Sequence, residues 1–154
     1  MEILIVVAGI LIDRLSKFWT LTQLKKVQQI PIIKNFFDLT YVENRGAAWG
    51  TFSGKTTILS LVTFIVLIAI VVYIIKYRPK SKLVRISLSL IISGAVGNLY
   101  DRVVYKYVVD FISFHYKDVY YYPVFNVADI CVVLGTIILA IFIILKDDKK
   151  NEKI

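Results

Sequence analysis

The sequence predicts an all-α membrane protein: a four-transmembrane-helix bundle with a small extracytoplasmic β-sheet and a short interfacial helix. Hydrophobic residues make up 58% of the 154 residues and the mean hydropathy is +0.71, whereas soluble domains contain about 45–50% apolar residues. The apolar residues are concentrated in four runs of membrane-spanning length. The basic residues, which give a formal net charge of +8, cluster between and beyond these runs, as topology signals do.

The same counts limit the classes of function. A chain of 154 residues is one domain by length, so we expect a single integral membrane domain over residues 1–154. The positive charge does not indicate nucleic-acid binding, because the basic residues follow the apolar runs and form no soluble basic face. One cysteine excludes an internal disulfide, and one cysteine with one histidine argues against a metal site. We therefore expect no metal and no cofactor.

The predicted spans cover about residues 3–21, 57–75, 83–100 and 127–145. The first lacks the basic start, unbroken apolar core and small-residue cleavage site of a secretory signal, so we interpret it as an uncleaved helix. Charged residues interrupt it, and among them Asp13 and Lys17 are four apart and can pair along one helix face. A structural ion pair is the simpler interpretation, and a direct role in a site is the alternative.

The basic residues also predict the orientation of the chain. Five of them follow the second span and four lysines follow the fourth, which indicates that both ends of the chain are cytoplasmic. The two longer connections then lie outside. In the first of these, residues 28–33 and 36–42 are rich in β-branched and aromatic residues and predict strands. In the second, the tyrosine-rich residues 103–122 favour an interfacial helix, which would be either a mobile lid or a fixed anchor. Their alternation also permits a strand.

Two aspartates at the outer surface are the candidate catalytic residues. Asp110 lies within an apolar stretch, where a lone carboxylate should have a partner, and Asp129 is the nearest candidate in sequence. Two carboxylates held close together cannot both ionise and so share a proton. One can then activate water while the other donates a proton. Taken alone, Asp129 is also explained as an acidic residue in the first turn of a helix capped by Asn126.

The end of the third span carries further polar residues. If this helix continues to Arg102, then Gly94, Asn98 and Arg102 lie on one face at spacings of four, with Asp101 beside them. Arg102 could neutralise a carboxylate or hold a substrate carbonyl. The alternative is an Asp101–Arg102 pair that marks the water boundary.

A thiol nucleophile is the rival chemistry, with Cys131 and His115 as its residues. Cys131 is two residues from Asp129 and therefore lies about 200° away around the same helix. A cysteine in an apolar helix is usually an inert packing residue. The sequence therefore favours the carboxylate pair.

Five blocks of the sequence together resemble bacterial lipoprotein signal peptidase, the signal peptidase II or prolipoprotein signal peptidase family. The blocks are DRLSK at 13–17, VENRGAAWG at 42–50, GAVGNLYDR at 94–102, VDF at 109–111 and FNVAD at 125–129. A single block is a weak signal, but all five occur in the order of that family and cover almost the whole chain. One departure is Trp49, where Phe is more usual; its loop is either a tight turn or a contact with substrate.

The resemblance implies an intramembrane aspartic endopeptidase of the bacterial cytoplasmic membrane, with its active site at the outer surface. Its substrate would be a prolipoprotein whose lipobox cysteine carries diacylglycerol, and cleavage would fall just before that cysteine. It would contact membrane lipid, bind globomycin-type cyclic peptide inhibitors and bind no nucleic acid. By motif, Asp110 and Asp129 would be catalytic, and Asp13 and Lys17 would be structural. The residues that bind substrate or brace the site would be Asn44, Gly94, Asn98, Asp101, Arg102 and Asn126.

Two other classes of protein fit part of the pattern. A small proton-coupled transporter, or a transporter subunit, also carries charged residues within its helices. The lack of an internal repeat and the gathering of acidic residues at one surface argue against it. In a non-catalytic scaffold the polar residues would only tie helices together.

Overall fold

A computed structural model describes residues 1–46, 54–117 and 119–151, with side chains described as far as residue 146. This part of the chain folds into four long helices and a small antiparallel sheet. The elements in chain order are α1 Glu2–Trp19, which continues through a π-helical segment Thr20–Leu24 into α2 Lys25–Val27, then β1 Gln29–Ile33, β2 Phe37–Asn44, α3 Thr56–Tyr77, α4 Lys82–Val104, β3 Val108–Tyr116, β4 Tyr120–Tyr121 and α5 Val127–Asn151.

Three of these helices are long and apolar enough to cross a membrane, namely α3, α4 and the part of α5 that ends at Lys146. They correspond to the predicted second, third and fourth spans. The predicted first span is also helical, but α1 falls outside this set because four of its 18 residues are charged. Among the described residues of α3, only Leu67 is buried, which is the pattern of a helix that faces lipid over most of its surface.

The closest helix packing occurs where α4 carries glycines. A Cβ atom at Gly94 would overlap the backbone carbonyl oxygen of Ala128 on α5. A Cβ atom at Gly97 would lie 2.6 Å from a carboxylate oxygen of Asp13 on α1. The two glycines therefore allow α1, α4 and α5 to meet at one level of the bundle, as small residues do between membrane helices.

The four strands form one antiparallel sheet in the order β1-β2-β3-β4. The predicted strands at 28–33 and 36–42 are confirmed as β1 and β2. In the β2–β3 pair, Val42 lies opposite Asp110 and Asn44 lies opposite Val108. An isolated bridge between Ile112 and Phe125 joins β3 to the residues just before α5. The sheet thus brings the end of β2 and the middle of β3 to the first turn of α5.

The predicted interfacial helix over residues 103–122 is wrong. Helix α4 continues to Val104, and the following residues form β3 and β4. Two residues of this stretch, Asp110 and Ser113, are buried in the sheet region and do not face an interface. The β-branched and aromatic residues of this stretch pack well in strands, and β3 has strand neighbours on both sides. The lid was predicted as a movable helix, so the absence of a helix from the described residues between α4 and α5 removes the reason for predicting it.

We expect Gly94→Ala to destabilise the folded protein, although alanine favours helix over glycine by about 1 kcal/mol. The added methyl group meets backbone, which cannot rotate away, so α4 and α5 must separate. The expected cost is about 1–3 kcal/mol, measured as a lower unfolding temperature in detergent. Ala140→Val is the control, because it adds methyl groups to an exposed position of α5. An unchanged unfolding temperature for Gly94→Ala would contradict the close packing.

Candidate active site

Asp110 and Asp129 are brought together by one residue, Asn126. Its side-chain amide donates a hydrogen bond to Asp110 Oδ1 at 2.6 Å, and its backbone N–H donates to Asp129 Oδ2 at 3.1 Å. In return, the backbone N–H of Asp129 donates to Asn126 Oδ1 at 3.0 Å. This reciprocal pair has the form of a capping box, so the prediction that Asn126 caps the fourth span is confirmed. The cap and the carboxylate site are the same group of atoms.

Two further asparagines complete the shell around the carboxylates. Asn98 on α4 donates from Nδ2 to Asp129 Oδ1 at 2.7 Å. Asn44 at the end of β2 donates from Nδ2 to Asp110 Oδ2 at 2.9 Å. Together with the bonds from Asn126, every carboxylate oxygen of the pair accepts one N–H group. Five predicted site residues therefore lie in one hydrogen-bonded array.

Burial and a neighbouring carboxylate oppose the ionisation of Asp110. Asp110 is only 1% exposed, and its pKa is raised to about 7, first by burial and then by the nearby Asp129 charge. The hydrogen bonds from Asn44 and Asn126, and the charge of Lys17, act in the opposite direction. Near neutral pH, Asp110 can therefore hold and release a proton.

Arg102 lines the same cleft as the two carboxylates. Its Nε atom is buried and has no hydrogen-bond partner within the described ranges of the chain. The alternative of an Asp101–Arg102 pair is wrong, because Asp101 pairs with Arg14 and Lys17 on α1 instead. Arg102 is therefore a cation beside the carboxylates with a donor available to another molecule.

Asp101 belongs to a buried ion cluster between α1 and α4, formed by Asp13, Arg14, Lys17 and Asp101. Lys17 Nζ lies 3.0 Å from Asp13 Oδ1 and 2.9 Å from Asp101 Oδ2. Arg14 closes the cluster through Asp13 Oδ2 at 2.8 Å and Asp101 Oδ1 at 2.7 Å. The predicted Asp13–Lys17 pair is thus confirmed, and Asp101 braces the bundle at a position behind the cleft.

Sequence reasoning missed Arg14, although a signal for it was present. Within the charged insert of α1, two cations stand beside a single anion. A buried cation needs a counter-charge, so the excess implied an anion on another helix, and Asp101 is that anion. Asp13 also accepts the backbone N–H of Ala128 at 3.1 Å, which connects the cluster to the first turn of α5.

A cleft of about 1020 Å³ opens above the array. One part of its lining is polar and contains both aspartates with Asn44, Asn98 and Arg102. The other part is apolar and follows α5 and the chain before it, through Phe125, Ile130, Val133 and Leu134. The cleft therefore offers an elongated ligand both a polar end and an apolar wall.

The thiol pair is not brought together. A Cβ atom at Gly9 of α1 would lie 3.8 Å from Cys131 Sγ, so this thiol faces α1. His115 Nε2 lies 3.0 Å from Asp38 Oδ2, and its ring stacks on Tyr121 in the sheet. Among the side chains that the structure describes, up to residue 146, no three His, Cys, Asp or Glu residues could hold a metal ion together.

The predicted loop around Trp49 lies outside the described residues. The residues at its start, Arg45 and Gly46, line the cleft beside Asn44. The backbone N–H of Gly46 donates to Asn44 Oδ1 at 2.9 Å. The loop therefore begins at the site and fixes the orientation of one asparagine there.

The fold and the site together define a helical membrane protein with a buried carboxylate site beneath a partly apolar cleft. A family model described as signal peptidase (SPase) II matches residues 5–145. The chain belongs to this family of lipoprotein signal peptidases and is a bacterial membrane protease. The family resemblance predicted from the five sequence blocks is confirmed.

Individual relatives and solved structures agree with this assignment. The chain is 78% identical to the lipoprotein signal peptidase of Clostridium acetobutylicum over 154 residues, covering 100% of both proteins. It is 50% identical to that of Clostridium tetani over 154 residues, with 100% and 99% covered. A bacterial membrane enzyme solved by the in meso method at 2.3 Å resolution is 37% identical, with a TM-score of 0.85 over 97% of this chain and 90% of that chain.

We expect Asp13→Ala to destabilise the protein by about 3–5 kcal/mol, because it leaves the two cations of the buried cluster with Asp101 as their single counter-charge. Glu43→Ala is a matched control: Glu43 also pairs with two cations, Lys25 and Arg45, but at the surface. Its loss should cost less than about 1 kcal/mol. Chemical unfolding in detergent measures both variants. Equal losses would mean that burial does not govern the strength of the ion cluster.

Proposed function

We propose that this chain is an intramembrane aspartic endopeptidase that removes the signal peptide from diacylglyceryl-modified prolipoproteins, just before the lipidated cysteine. One observation carries the proposal: Asp110 and Asp129 come from different elements, and both bind Asn126 beneath the cleft. The family assignment and the name of the relatives supply the substrate class. Asp110 and Asp129 are the proposed catalytic residues.

In the proposed mechanism, the ionised Asp129 takes a proton from a water molecule as its oxygen attacks the scissile carbonyl carbon. The protonated Asp110 gives its proton to the carbonyl oxygen, which forms a tetrahedral diol. The diol then collapses: Asp129 passes its proton to the leaving amide nitrogen as the C–N bond breaks, and Asp110 takes a hydroxyl proton back. Both carboxyl groups return to their starting states, as in other shared-proton pairs.

The surrounding residues have supporting roles in this proposal. Arg102 holds a substrate carbonyl through its buried and unpartnered Nε atom. Asn44, Asn98 and Asn126 keep the carboxylate oxygens in place. Two residues act from a greater distance: Gly94 allows α5 to approach α4, and Asp101 braces α1 through Lys17.

The shape of the cleft fits a substrate that is part peptide and part lipid. An extended peptide can reach the polar end, and the acyl chains can lie along Ile130, Val133 and Leu134 toward the surrounding bilayer. Cyclic peptides of the globomycin type would occupy the same polar end. Membrane lipid would cover the exposed apolar faces of the helices, of which α3 is the clearest.

We further propose that α1 is the first of four spans in a single domain over residues 1–154. The ion cluster supports this, because Asp13, Arg14 and Lys17 face Asp101 and not the lipid. Both termini would be cytoplasmic, given the basic residues between α3 and α4 and at the end of α5. The sheet and the active site would then lie at the outer surface of the cytoplasmic membrane.

We expect Asp110→Asn and Asp129→Asn each to lower kcat by on the order of 10³-fold or more, since each removes a proton-transfer step. The double variant should be scarcely worse than either single one, because the pair acts as a unit. The measurement is cleavage of a diacylglyceryl-modified lipobox peptide by purified protein in lipid.

Cys131→Ser and His115→Ala are the controls for this experiment and should retain activity within a few fold. Substantial turnover by either aspartate variant would exclude the carboxylate pair. Loss of activity in the Cys131 variant, with normal insertion, would restore the thiol mechanism. A wild-type protein that never cleaves the lipidated peptide would overturn the proposed substrate.

We expect kcat/KM to follow a bell-shaped curve with pH. The acidic limb reports protonation of the general base, and the basic limb reports loss of the proton that Asp110 must donate. Because the pKa of Asp110 is about 7, activity should fall as the pH rises through and above that value. The two midpoints belong to the pair as a whole. A rate that stays constant from pH 6 to about pH 9 would contradict the proposed role of Asp110.

A further inference from the structure

Lys17 makes one more contact than an ion pair needs. Its ammonium group has three N–H bonds, and it is 1% exposed. Two of these bonds are directed at Asp13 and Asp101 of the ion cluster. The third donates to Asn98 Oδ1 at 3.0 Å, which lies on the side of the active site. All three hydrogens are therefore used, and one of them reaches the carboxylate array.

This contact fixes the orientation of the Asn98 amide. An ammonium group donates hydrogen bonds and accepts none, so only the oxygen of Asn98 can face Lys17. The NH₂ group must then point the other way, where it donates to Asp129 Oδ1 at 2.7 Å. An N–H group directed at a carboxylate oxygen favours the ionised form.

The other two asparagines are oriented in the same way by backbone donors. Asn126 Oδ1 accepts the N–H of Asp129, and Asn44 Oδ1 accepts the N–H of Gly46. Each amide therefore has a donor-only partner on its oxygen and a carboxylate on its nitrogen. Lys17 differs from the two backbone anchors because it carries a charge and can be substituted.

We propose that Lys17 is a positioning residue of the reaction, which holds Asn98 so that Asp129 stays ionised and ready to activate water. This inference rests on the proposed function and extends it to a residue that does not line the cleft. Without Lys17, only the longer hydrogen bond from Asn126 Nδ2, at 3.2 Å, remains on Asn98 Oδ1. The Asn98 amide is then held less firmly and can rotate to present its oxygen to Asp129. That arrangement favours a protonated Asp129, which cannot take a proton from water.

A change in the net charge of the ion cluster could also shift the pKa of the carboxylate pair, and this effect must be separated from the loss of the Lys17–Asn98 contact. Asp13, Arg14, Lys17 and Asp101 form a neutral set, with two charges of each sign. Among the described residues, the other charged or titratable groups that line the cleft beside Asp129 are Asp110 on β3, Arg102 on α4, Glu43 and Arg45 at the end of β2 and just after it, and Tyr121 and Tyr122. A substitution that removes one cation and one anion keeps the cluster neutral, so any change in the carboxylate pair reports the lost contact.

Two double variants separate the contact from the ion pairing. Lys17→Met with Asp101→Asn removes the cation that binds Asn98, together with one anion. Arg14→Met with Asp101→Asn removes the cation that does not bind Asn98, together with the same anion. Both variants lose buried ion pairs of the same cluster and both keep it neutral. The measurements are the unfolding temperature, KM and the pH profile of kcat/KM for lipobox peptide cleavage.

We expect the Lys17 double variant to move the acidic limb to higher pH by about one unit, since Asp129 then holds its proton until a higher pH is reached. Its KM should stay within about twofold of wild type. Lys17 lies outside the cleft and does not contact the substrate, so its loss should not weaken substrate binding. The Arg14 double variant should keep the wild-type midpoint, although both variants unfold at lower temperatures. A larger loss of activity at low pH than at high pH is the signature of the positioning role.

Equal shifts in both variants, or a shift in neither, would overturn the inference and leave Lys17 a structural residue. If the methionine variant does not insert, Lys17→Leu with Asp101→Asn replaces it, because leucine also lacks a donor. An unchanged acidic limb there overturns the inference as well. Failure of the proposed function gives a different result. In that case the wild-type protein shows no cleavage, or the Asp110→Asn and Asp129→Asn variants remain active.

Discussion

The buried ion cluster of Asp13, Arg14, Lys17 and Asp101 is the constraint on which the rest of the structure depends. A single buried charge costs several kcal/mol of desolvation, and only close partners offset this cost. Each charge of the cluster therefore requires the others, and they come from two helices far apart in sequence. Helices α1 and α4 can bury these groups only when they pack in one register. In a chain whose other helix surfaces are mostly apolar, this requirement selects one arrangement from many of similar hydrophobic burial.

The same cluster also positions the carboxylate pair. Asp13 accepts the backbone N–H of Ala128, and Gly97 lies against the Asp13 carboxylate. These contacts fix the first turn of α5, where Asp129 lies in the capping box of Asn126. Asp110 then reaches the same asparagine from β3, because the Ile112–Phe125 bridge holds that strand beside the start of α5. The active-site geometry thus follows from helix packing and from one short strand contact.

Features set by neighbours in sequence could be predicted, and those set by distant segments could not. The spacing of four between Asp13 and Lys17 and of three between Asn126 and Asp129 predicted real contacts. The apolar runs predicted the positions of α3, α4 and α5. The pairing of Arg14 with Asp101 joins residues 87 positions apart, as the sequence numbering gives, and no local pattern specifies it. The prediction of a helix over residues 103–122 failed for the same reason, because pairing with the distant strand β2 made this stretch a strand. The carboxylate pair was predicted from chemistry, but its joint attachment to Asn126 required the fold.

The chain uses two different solutions to the problem of charge in an apolar setting. In the ion cluster, equal numbers of cations and anions neutralise one another, and the group has no need to change its protonation state. In the carboxylate pair, two acidic groups share one site, and three asparagines supply N–H groups that carry no charge. Neutral donors stabilise an anion less than cations do, so the pKa of Asp110 stays high enough for a proton to be kept and exchanged near neutral pH. Had Lys17 contacted Asp129 directly, a full ion pair would have held that carboxylate as a permanent anion. With Asn98 placed between them, the lysine orients the site, and Asp129 can still gain and lose a proton during the reaction.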